Sequence, residues 1–295
     1  MPDRIEHVMV VGYGTMGRGI VASFAGAGFR TTVLSRNPAR IGDLPPGAEA
    51  VDAPPGDAPD LIIEAVPETM AIKRELLARM EAVYGGGPVL ASNTSSLPLD
   101  ELAGELDTPE RFIGVHYMHP AEALPMVEVI RASRTSDETL ARTEAALERT
   151  GKTSIVLHRP VAGFLINRLQ HAILHEAYYL ISEGIVTAKD VDDVANWLLG
   201  PRMSVIGLIR QKDISGLDVH ALVQRGLVPE LCHSAESQPA IQRKFENGQL
   251  GIETGVGFYD WRRTDVRAYR SKAAEKLARL FAVLRDDPLD VPELA

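Results

Sequence analysis

Short apolar runs alternate with segments of helical periodicity along the first half of the chain. Each run is nearly continuous in hydrophobic residues, which is typical of parallel strands buried on both faces. The predicted strands are His7–Val11, Arg30–Leu34, Leu61–Val66, Val89–Ser92, Phe112–His116, Val127–Ile130 and Ser154–Leu157. Between them, helices are predicted at Thr15–Ala27, Ala71–Val83 and, with Ser136 as its N-cap, Ser136–Thr150. Strands that alternate with helices predict an α/β fold with a doubly wound parallel sheet.

Beyond Pro160 the hydrophobic positions follow helical spacing, which predicts an all-α C-terminal domain. We therefore expect two domains, 1–159 with the sheet and 160–295 with helices. The segment Gly42–Asp60 is rich in proline, glycine and acidic residues and is predicted to be a loop or a minimal strand connection. The helices of the second domain are predicted at Gly163–Ser182, Thr187–Leu199, Ser204–Gln211, Asp218–Val228, Pro239–Asn247 and Ser271–Arg285.

The composition of the 295-residue chain narrows the class of protein. Hydrophobic residues make up 45% of it, which allows a full core, and its net charge of −9 argues against a nucleic-acid-binding surface. Cys232 is the single cysteine, so no intrachain disulfide is expected, and because no catalytic histidine motif surrounds it we predict a core or surface residue. Neither a signal-peptide pattern nor an apolar window of membrane length occurs, so we expect a soluble cytoplasmic protein.

A glycine-rich fingerprint, Gly12-Tyr-Gly-Thr-Met-Gly17, follows the first predicted strand and opens the first helix. In such a motif the first glycine permits a tight turn, the second lets the backbone approach a pyrophosphate, and the third allows close packing of helix on strand. The helix N-terminus, with Thr15 and Met16, then offers amide groups and positive potential to the phosphates. This context favours a Rossmann-like dinucleotide-binding domain over purely structural glycines.

The residues after the second strand bear on which dinucleotide is bound. NAD-specific sites normally carry Asp or Glu there to hold the ribose 2′-hydroxyl. This chain has Ser35 and Arg36, with Arg40 four residues on. Because a hydroxyl and a guanidinium group suit a 2′-phosphate, the sequence favours NADP(H) over NAD(H), with NAD(H) kept as the alternative. Arg36 could equally stack on adenine or remain solvated.

The segment Gly114-Val-His-Tyr-Met-His-Pro120 carries the principal candidate for acid–base chemistry. It places His116 twelve positions before Glu128, and both lie near the ends of predicted strands. A histidine that is oriented by a buried carboxylate is a ready general acid/base, although such a pair is also a common structural ion pair. Combined with a bound hydride carrier, it predicts alcohol–ketone redox chemistry.

A set of motifs in one order resembles the L-3-hydroxyacyl-CoA dehydrogenase family over nearly the whole length of the chain. The motifs are Gly12–Gly17, Glu64-Ala-Val-Pro-Glu68, Ser92-Asn-Thr-Ser-Ser96, the His116 segment, Met126-Val-Glu-Val-Ile130, Gly163-Phe-Leu-Ile-Asn167-Arg168 and Thr254-Gly-Val-Gly-Phe-Tyr259.

The resemblance implies a role for each matching position. His116 would be the general acid/base, Glu128 would fix its tautomer, and Ser95 and Asn167 would bind the substrate oxygen. Ser95 could instead cap a helix, and Lys73 could be a solvated helix charge. No metal ligands are implied. The implied cofactor-binding residues are Gly12, Gly14, Thr15, Met16, Gly17, Ser35, Arg36, Arg40, Val66, Glu68, Lys73, Asn93 and His119.

The chain departs from the family pattern at three places. His119 stands where relatives usually have Asn, and Glu253 stands where many have Lys. The family's long, lysine-bearing excursion after the second strand is replaced by a short acidic connection, Pro38–Asp60, which is a poor partner for CoA phosphates. A free hydroxy acid or another small alcohol is therefore an alternative to a CoA ester. Arg202 or Arg210 could then bind a substrate carboxylate.

These observations predict an NAD(P)-dependent oxidoreductase that interconverts a 3-hydroxyacyl compound, as CoA thioester or free acid, and its 3-keto form. The alternatives are a dehydrogenase of a small non-CoA alcohol, a reductase of a carrier-tethered acyl group, and a non-catalytic dinucleotide-binding protein. The resemblance also implies a homodimer formed through the helical domain.

Overall fold

The structure is a computed structural model that describes residues 4–290, and its N-terminal part contains an eight-stranded sheet. The order of the strands is β3-β2-β1-β4-β5-β6-β7-β8. The order reverses between β1 and β4, which is the place where doubly wound sheets form a ligand-binding crevice at their carboxyl edge. The strands are β1 His7–Val11, β2 Arg30–Leu34, β3 Ala48–Val51, β4 Leu61–Glu64, β5 Val89–Ser92, β6 Phe112–His116, β7 Met126–Arg131 and β8 Thr153–Leu157.

Helices cover both faces of this sheet. Val8 and Val10 of β1 belong to one apolar cluster with the helices at 15–26 and 137–149, whereas Met9 belongs to a second cluster with the helices at 70–84 and 99–102. Successive residues of a strand point to opposite faces, so this alternation places the two helix pairs on opposite sides of the sheet. The predicted Rossmann-like α/β fold is confirmed. The helices are α1 Thr15–Gly26, α2 Met70–Tyr84, α3 Leu99–Leu102, a single turn that the sequence did not predict, and α4 Asp137–Arg149.

The pair β6–β7 is antiparallel, and this departs from the uniformly parallel sheet expected from the sequence. No helix separates the two strands, so the chain cannot make the crossover that parallel neighbours require. The segment between them turns back, and β8 then pairs with β7 in parallel. In the resulting register His116 lies directly opposite Glu128.

The acidic connection between β2 and β4 is compact. It contains a 3₁₀ turn, Pro38–Arg40, and the short strand β3, which pairs with β2 at the edge of the sheet. The predicted cap of α4 is also present, because the Ser136 hydroxyl accepts a hydrogen bond from the amide of Thr139 at 3.1 Å.

The C-terminal part of the chain is helical, as predicted. The predicted helix Ser204–Gln211 is wrong, because the chain breaks at Gly207, which has a φ of +93°. The predicted helix Thr187–Leu199 ends early and continues as a π-helical turn, Ala195–Leu199. The helices are α5 Ile166–Ser182, α6 Ala188–Val194, α7 Gly200–Ile206, α8 Arg210–Ser215, α9 Leu217–Leu227, α10 Pro239–Glu246 and α11 Val266–Asp286, with a 3₁₀ turn at Val228–Glu230.

The chain folds into two compact units, the first ending at Arg168 and the second beginning at Leu169. This division falls inside α5, whereas the sequence prediction of a boundary between residues 159 and 160 stays a prediction. Within residues 4–290, no helix is long and apolar enough to cross a membrane.

Candidate functional site

The fingerprint loop links the carboxyl end of β1 to α1. Gly12 has a φ of +100°, and a Cβ atom there would lie 2.8 Å from the carbonyl oxygen of Ala65. A Cβ atom on Gly17 would lie 2.1 Å from the carbonyl oxygen of Gly12. Both positions therefore require glycine, the first for its conformation and both for the close approach of backbone to backbone.

The first turn of α1 has the features of an anion site. Its N-cap residue, Gly14, makes no side-chain capping bond, and no acidic residue lies in the first turn. A Cβ atom on Gly14 would meet no atom within 4 Å, so there is open space at this N-cap residue, which precedes Thr15 and Met16. Free amides and the positive end of the helix fit a dinucleotide pyrophosphate. Val66, a further predicted cofactor residue, lies against the Gly12 turn.

The carboxyl end of β2 carries the three residues predicted to choose the dinucleotide. Ser35 is half-buried, and its amide donates to the carbonyl of Val51 at 2.9 Å, while Arg36 and Arg40 are exposed. The same hydrogen bond places Asp52, the residue after β3, beside Ser35 at the edge of the sheet. The sequence prediction considered only the end of β2, and the acidic residue that follows the adjacent strand was missed.

His116 and Glu128 form a buried pair. The Nδ1 atom of His116 lies 2.7 Å from Oε2 of Glu128, and the two residues are 6% and 0% exposed. Because an ionised carboxylate only accepts hydrogen bonds, Nδ1 is the donor in this pair. The other ring nitrogen, Nε2, is then left to exchange a proton with a bound molecule.

The second oxygen of Glu128 holds the start of α5. Its Oε1 accepts hydrogen bonds from the amides of Leu165 and Ile166, each at 2.8 Å. Burial raises the pKa of Glu128, but the hydrogen bonds from His116, Ile166 and Leu165 outweigh it and hold the pKa below its usual range. Glu128 is thus a fixed anion that joins the sheet to the first turn of a helix.

Phe164 packs against the His116 ring from the turn before α5. Their ring centroids are 5.4 Å apart, and Phe164 is 2% exposed. Its φ of +50° lies in the left-handed region, which is unusual for a bulky residue and costs about 1–3 kcal/mol. Strain of this kind persists where neighbouring contacts impose it, and here it accompanies the ring contact with His116. The sequence reasoning did not single out Phe164.

Ser95 and Asn167, the predicted ligands of the substrate oxygen, lie close together. The side-chain amide of Asn167 donates to the backbone carbonyl of Ser95 at 3.5 Å, and both residues are half-buried. Asn93 stands two residues before Ser95, and its Oδ1 accepts from the amide of Tyr117 at 2.8 Å, so it links the carboxyl ends of β5 and β6. The structure therefore brings the predicted oxygen-binding residues to the same edge of the sheet as His116.

Lys73 and Glu68 belong to a carboxylate–ammonium cluster that the sequence reasoning did not predict. The Nζ atom of Lys73 lies 2.7 Å from Oε1 of Glu64 and 3.2 Å from Oε2 of Glu68. Lys73 and Glu64 are each 1% exposed, so the solvated helix charge considered for Lys73 is not what the structure contains. The available signal was Glu64 itself, a carboxylate at the end of a continuous apolar strand.

Four other residues were singled out from the sequence. His119 is exposed next to its cis peptide bond with Pro120. Arg202 donates to Oε1 of Gln211, and Arg210 donates to the carbonyl of Ile206, so each has a partner within the helical unit. Cys232 is half-buried, and its Sγ lies 3.5 Å from Nε2 of His175, a proximity that the sequence could not show.

This arrangement of side chains is suited to moving a proton to or from a substrate oxygen. A histidine with one nitrogen anchored by an anion can take a proton from a hydroxyl group or return it to a carbonyl oxygen. The hydroxyl of Ser95 and the amide of Asn167 supply additional hydrogen-bonding groups. The open helix N-terminus at Gly14 belongs to the same N-terminal unit and fits the phosphates of a redox dinucleotide.

Comparison with known proteins gives matches along most of the chain. The NAD binding domain of 3-hydroxyacyl-CoA dehydrogenase matches residues 7–53 and 48–160, and the C-terminal domain of 3-hydroxyacyl-CoA dehydrogenase matches residues 163–261. The 5-formyl-3-hydroxy-2-methylpyridine 4-carboxylate 5-dehydrogenase of Mesorhizobium japonicum is 29% identical over 95% of this chain and 98% of its own length. The probable 3-hydroxybutyryl-CoA dehydrogenase of Bacillus subtilis is 32% identical over 87% of this chain and 98% of its own.

Solved structures agree with these matches. The crystal structure of a 5-formyl-3-hydroxy-2-methylpyridine 4-carboxylic acid 5-dehydrogenase, described as an NAD+-dependent dismutase, has a TM-score of 0.89 at 28% identity. It covers 95% of this chain and 99% of its own. The 3-hydroxyacyl-CoA dehydrogenase from Archaeoglobus fulgidus has a TM-score of 0.69 at 31% identity, with coverage of 95% and 98%.

Proposed function

Because the chain belongs to the 3-hydroxyacyl-CoA dehydrogenase family of NAD-dependent oxidoreductases, we propose that it interconverts a 3-hydroxyacyl compound and its 3-keto form by hydride transfer. The observation that carries this proposal is the buried pair of His116 and Glu128, 2.7 Å apart, with Ser95 and Asn167 at the same edge of the sheet. A protein that only bound a dinucleotide would not need this set of side chains.

In the proposed reaction His116 moves the proton. During oxidation its Nε2 takes the hydroxyl proton of the substrate. A dinucleotide held at the N-terminus of α1 would supply the hydride acceptor. Glu128 holds Nδ1 and stabilises the imidazolium that forms. Ser95 and Asn167 donate hydrogen bonds to the substrate oxygen, whose negative charge grows as its proton leaves. In the reverse direction the imidazolium returns the proton to the carbonyl oxygen.

The proposed substrate is a free acid rather than a CoA thioester. The compact connection between β2 and β4 supports this choice, because it is acidic and carries little that would attract CoA phosphates. The higher TM-score with the pyridine carboxylic acid dehydrogenase, 0.89 against 0.69 for the Archaeoglobus fulgidus enzyme, supports it as well. A CoA thioester is the second candidate, favoured by the 32% identity with the Bacillus subtilis protein.

The proposed cofactor is NAD(H). The sequence favoured NADP(H), on the basis of Ser35, Arg36 and Arg40, but the comparisons do not support that preference: the matching domain is an NAD binding domain, and the pyridine dehydrogenase is NAD+-dependent. Asp52 supports NAD(H) physically, since it follows Val51, the hydrogen-bond partner of Ser35, and a carboxylate at this position would repel a 2′-phosphate. The role that a carboxylate on β2 has in other sites would then come from the adjacent strand.

A homodimer formed through the helical unit is part of the proposal. This unit exposes many large apolar side chains, including Trp197 at 77%, Ile214 at 75%, Ile209 at 71% and Leu222 at 66%. Extended apolar surface is typical of protein interfaces, and a second copy of the chain would bury it. Sedimentation that gives a monomer at micromolar concentration would contradict this part. A cytoplasmic location stays a prediction.

The function is tested with a substrate panel and one variant. The panel contains acetoacetate, acetoacetyl-CoA and 5-formyl-3-hydroxy-2-methylpyridine 4-carboxylate, and each compound is assayed with NADH and with NADPH. We expect a free acid with NADH to give the highest kcat/KM. His116→Gln should lower kcat by about 10²–10⁴-fold while the dissociation constant of NADH stays within a factor of two. The exposed His158→Gln serves as control. Wild-type turnover in His116→Gln would refute the assignment.

A further inference from the structure

Glu68 holds the loop that carries Ser95. Its Oε1 accepts hydrogen bonds from the Thr94 hydroxyl at 2.6 Å, from the Ser95 amide at 2.7 Å and from the Ser95 hydroxyl at 3.1 Å. The amide of Ser96 lies 3.2 Å from the same oxygen. One carboxylate oxygen therefore collects the donors of three consecutive residues, and it fixes both the backbone and the hydroxyl group of Ser95.

The other oxygen of Glu68 is held by a buried lysine. Its Oε2 lies 3.2 Å from the ammonium group of Lys73, which is itself bound by both oxygens of Glu64 at 2.7 and 2.8 Å. Because Lys73 and Glu64 are almost completely buried, neither can move without leaving a buried charge unpaired. The position of Glu68 relative to the core of the sheet is thus set by a fixed cation.

The charge state of Glu68 suits this role. Burial raises its pKa, but hydrogen bonds from Thr94 and Ser95 and the charge of Lys73 outweigh burial and hold the pKa below its usual range. At neutral pH the group is a carboxylate, which only accepts hydrogen bonds. Among the hydrogen bonds that Glu68 accepts from Thr94 and Ser95, the one from the Ser95 hydroxyl is the longest. The Ser95 hydroxyl is therefore the donor that can leave Glu68 most readily, because the other donors still hold the loop.

We propose that Glu68 is a positioning residue that acts through Ser95: it fixes the loop from Thr94 to Ser96, so that the Ser95 hydroxyl alone turns from Glu68 to the substrate oxygen. This inference rests on the proposed function. It assigns Glu68 a task at the reacting oxygen instead of the cofactor contact implied by the family resemblance. Lys73 and Glu64 contribute indirectly, because Glu64 binds Lys73 and Lys73 holds Glu68 in place.

A double-mutant cycle with Ser95→Ala tests the proposal. In the wild-type background Glu68→Ala should lower kcat/KM by about 100-fold, and Glu68→Gln, which keeps one acceptor oxygen, by about 10-fold. In the Ser95→Ala background both changes should have little further effect, because the group that they position is gone. NADH affinity, from fluorescence titration, should stay within about twofold, and exposed Glu75→Gln should behave like the wild type.

Each alternative result has a distinct meaning. A further loss of about 100-fold in the Ser95→Ala background would show that Glu68 supports the site in general, and would overturn the inference. An equal rise of the NADH dissociation constant in both backgrounds would assign Glu68 to the cofactor and overturn it too. If Glu68→Ala does not fold, Glu68→Gln completes the same cycle. Absence of wild-type turnover with every substrate would overturn the proposed function, and this inference with it.

Discussion

His116 and Glu128 face each other across the antiparallel pair β6–β7, and Glu128 also binds the first turn of α5. The carboxylate therefore has two separate partners, the imidazole through Oε2 and two backbone amides through Oε1. The ring of Phe164, from the residue before those amides, packs against the same imidazole. The orientation of His116 thus depends on the strand register and on the start of α5 together.

Replacing Glu128 by Gln should abolish most activity without disrupting this arrangement. The glutamine oxygen can still accept from the amides of Leu165 and Ile166, but its NH2 group would then face Nδ1 of His116. Such a group donates, so Nδ1 would become the acceptor and the proton would move to Nε2. A neutral imidazole with a proton on Nε2 cannot take one from the substrate. We expect kcat for oxidation to fall by about 10²–10⁴-fold.

The pH dependence of kcat and a matched variant make this measurement specific. The bell- or step-shaped pH profile of kcat in the wild type reports the protonation of the acid–base group. Glu128→Gln should shift this profile along the pH axis and also lower kcat at every pH. Glu110→Gln removes an exposed carboxylate elsewhere on the same unit and should leave kcat and its pH profile unchanged. Activity in Glu128→Gln within tenfold of the wild type, with an unmoved profile, would be incompatible with a catalytic pair.

Glu81 provides a stability prediction that does not involve the site. Its carboxylate accepts hydrogen bonds from the amides of Asp107 and Thr108, each at 2.8 Å, and from the Thr108 hydroxyl at 2.6 Å. Burial raises its pKa, but these hydrogen bonds outweigh it and lower the pKa below 4.5. A carboxyl group with a lowered pKa stabilises the fold above its unfolded-state pKa, and this contribution is lost as the pH falls through the folded-state pKa.

Glu81→Gln should therefore lower the melting temperature at pH 7 by roughly 2–4 °C, which corresponds to about 1 kcal/mol. The difference from the wild type should shrink as the pH falls through the folded-state pKa, since the wild-type carboxylate is then protonated. Scanning calorimetry from pH 7 to pH 3 measures it, with Glu75→Gln as a control that has an exposed carboxylate. A difference that grows in acid would contradict the assigned role.

Local patterns predicted most of the sheet because buried parallel strands are continuous apolar runs. The bounds of β1 and β5 agree with the prediction, and the family resemblance and the α/β fold are confirmed. The antiparallel direction of β7 was missed, since strand direction depends on the connection and not on composition. The break at Gly207 was missed for a similar reason, because a single glycine within an apolar segment only weakly favours a helix end.

The residues of the site show the same difference between what local patterns predict and what they miss. Residues in motifs, such as Gly12 and His116, were recognised because their chemistry requires a particular residue type. Their supports were not: Phe164 read as an ordinary apolar residue, and the buried contact of Lys73 with Glu64 joins residues nine positions apart on different elements. Such contacts follow from the register of strands and helices, and no local pattern encodes them. Whether each predicted site residue contacts substrate or cofactor stays a prediction.

Two glycines of the fingerprint allow stability and cofactor binding to be separated. At Gly14 a methyl group would meet no atom of the protein within 4 Å, but it would lie at the N-cap of α1, where we propose that the pyrophosphate binds. Gly14→Ala should therefore fold with near wild-type stability, while its NADH dissociation constant rises at least about tenfold, equivalent to about 1.4 kcal/mol.

The contrasting variant is Gly17→Ala. Its methyl group would lie 2.1 Å from the carbonyl oxygen of Gly12, so the helix must move away from the strand. Alanine gains about 1 kcal/mol in helix propensity, but overpacking costs about 1–3 kcal/mol, and so close a contact with backbone places this variant at the upper end. We expect Gly17→Ala to melt several degrees below Gly14→Ala, as measured by circular dichroism. Equal NADH affinity of Gly14→Ala and the wild type would mean that the pyrophosphate does not bind at this turn.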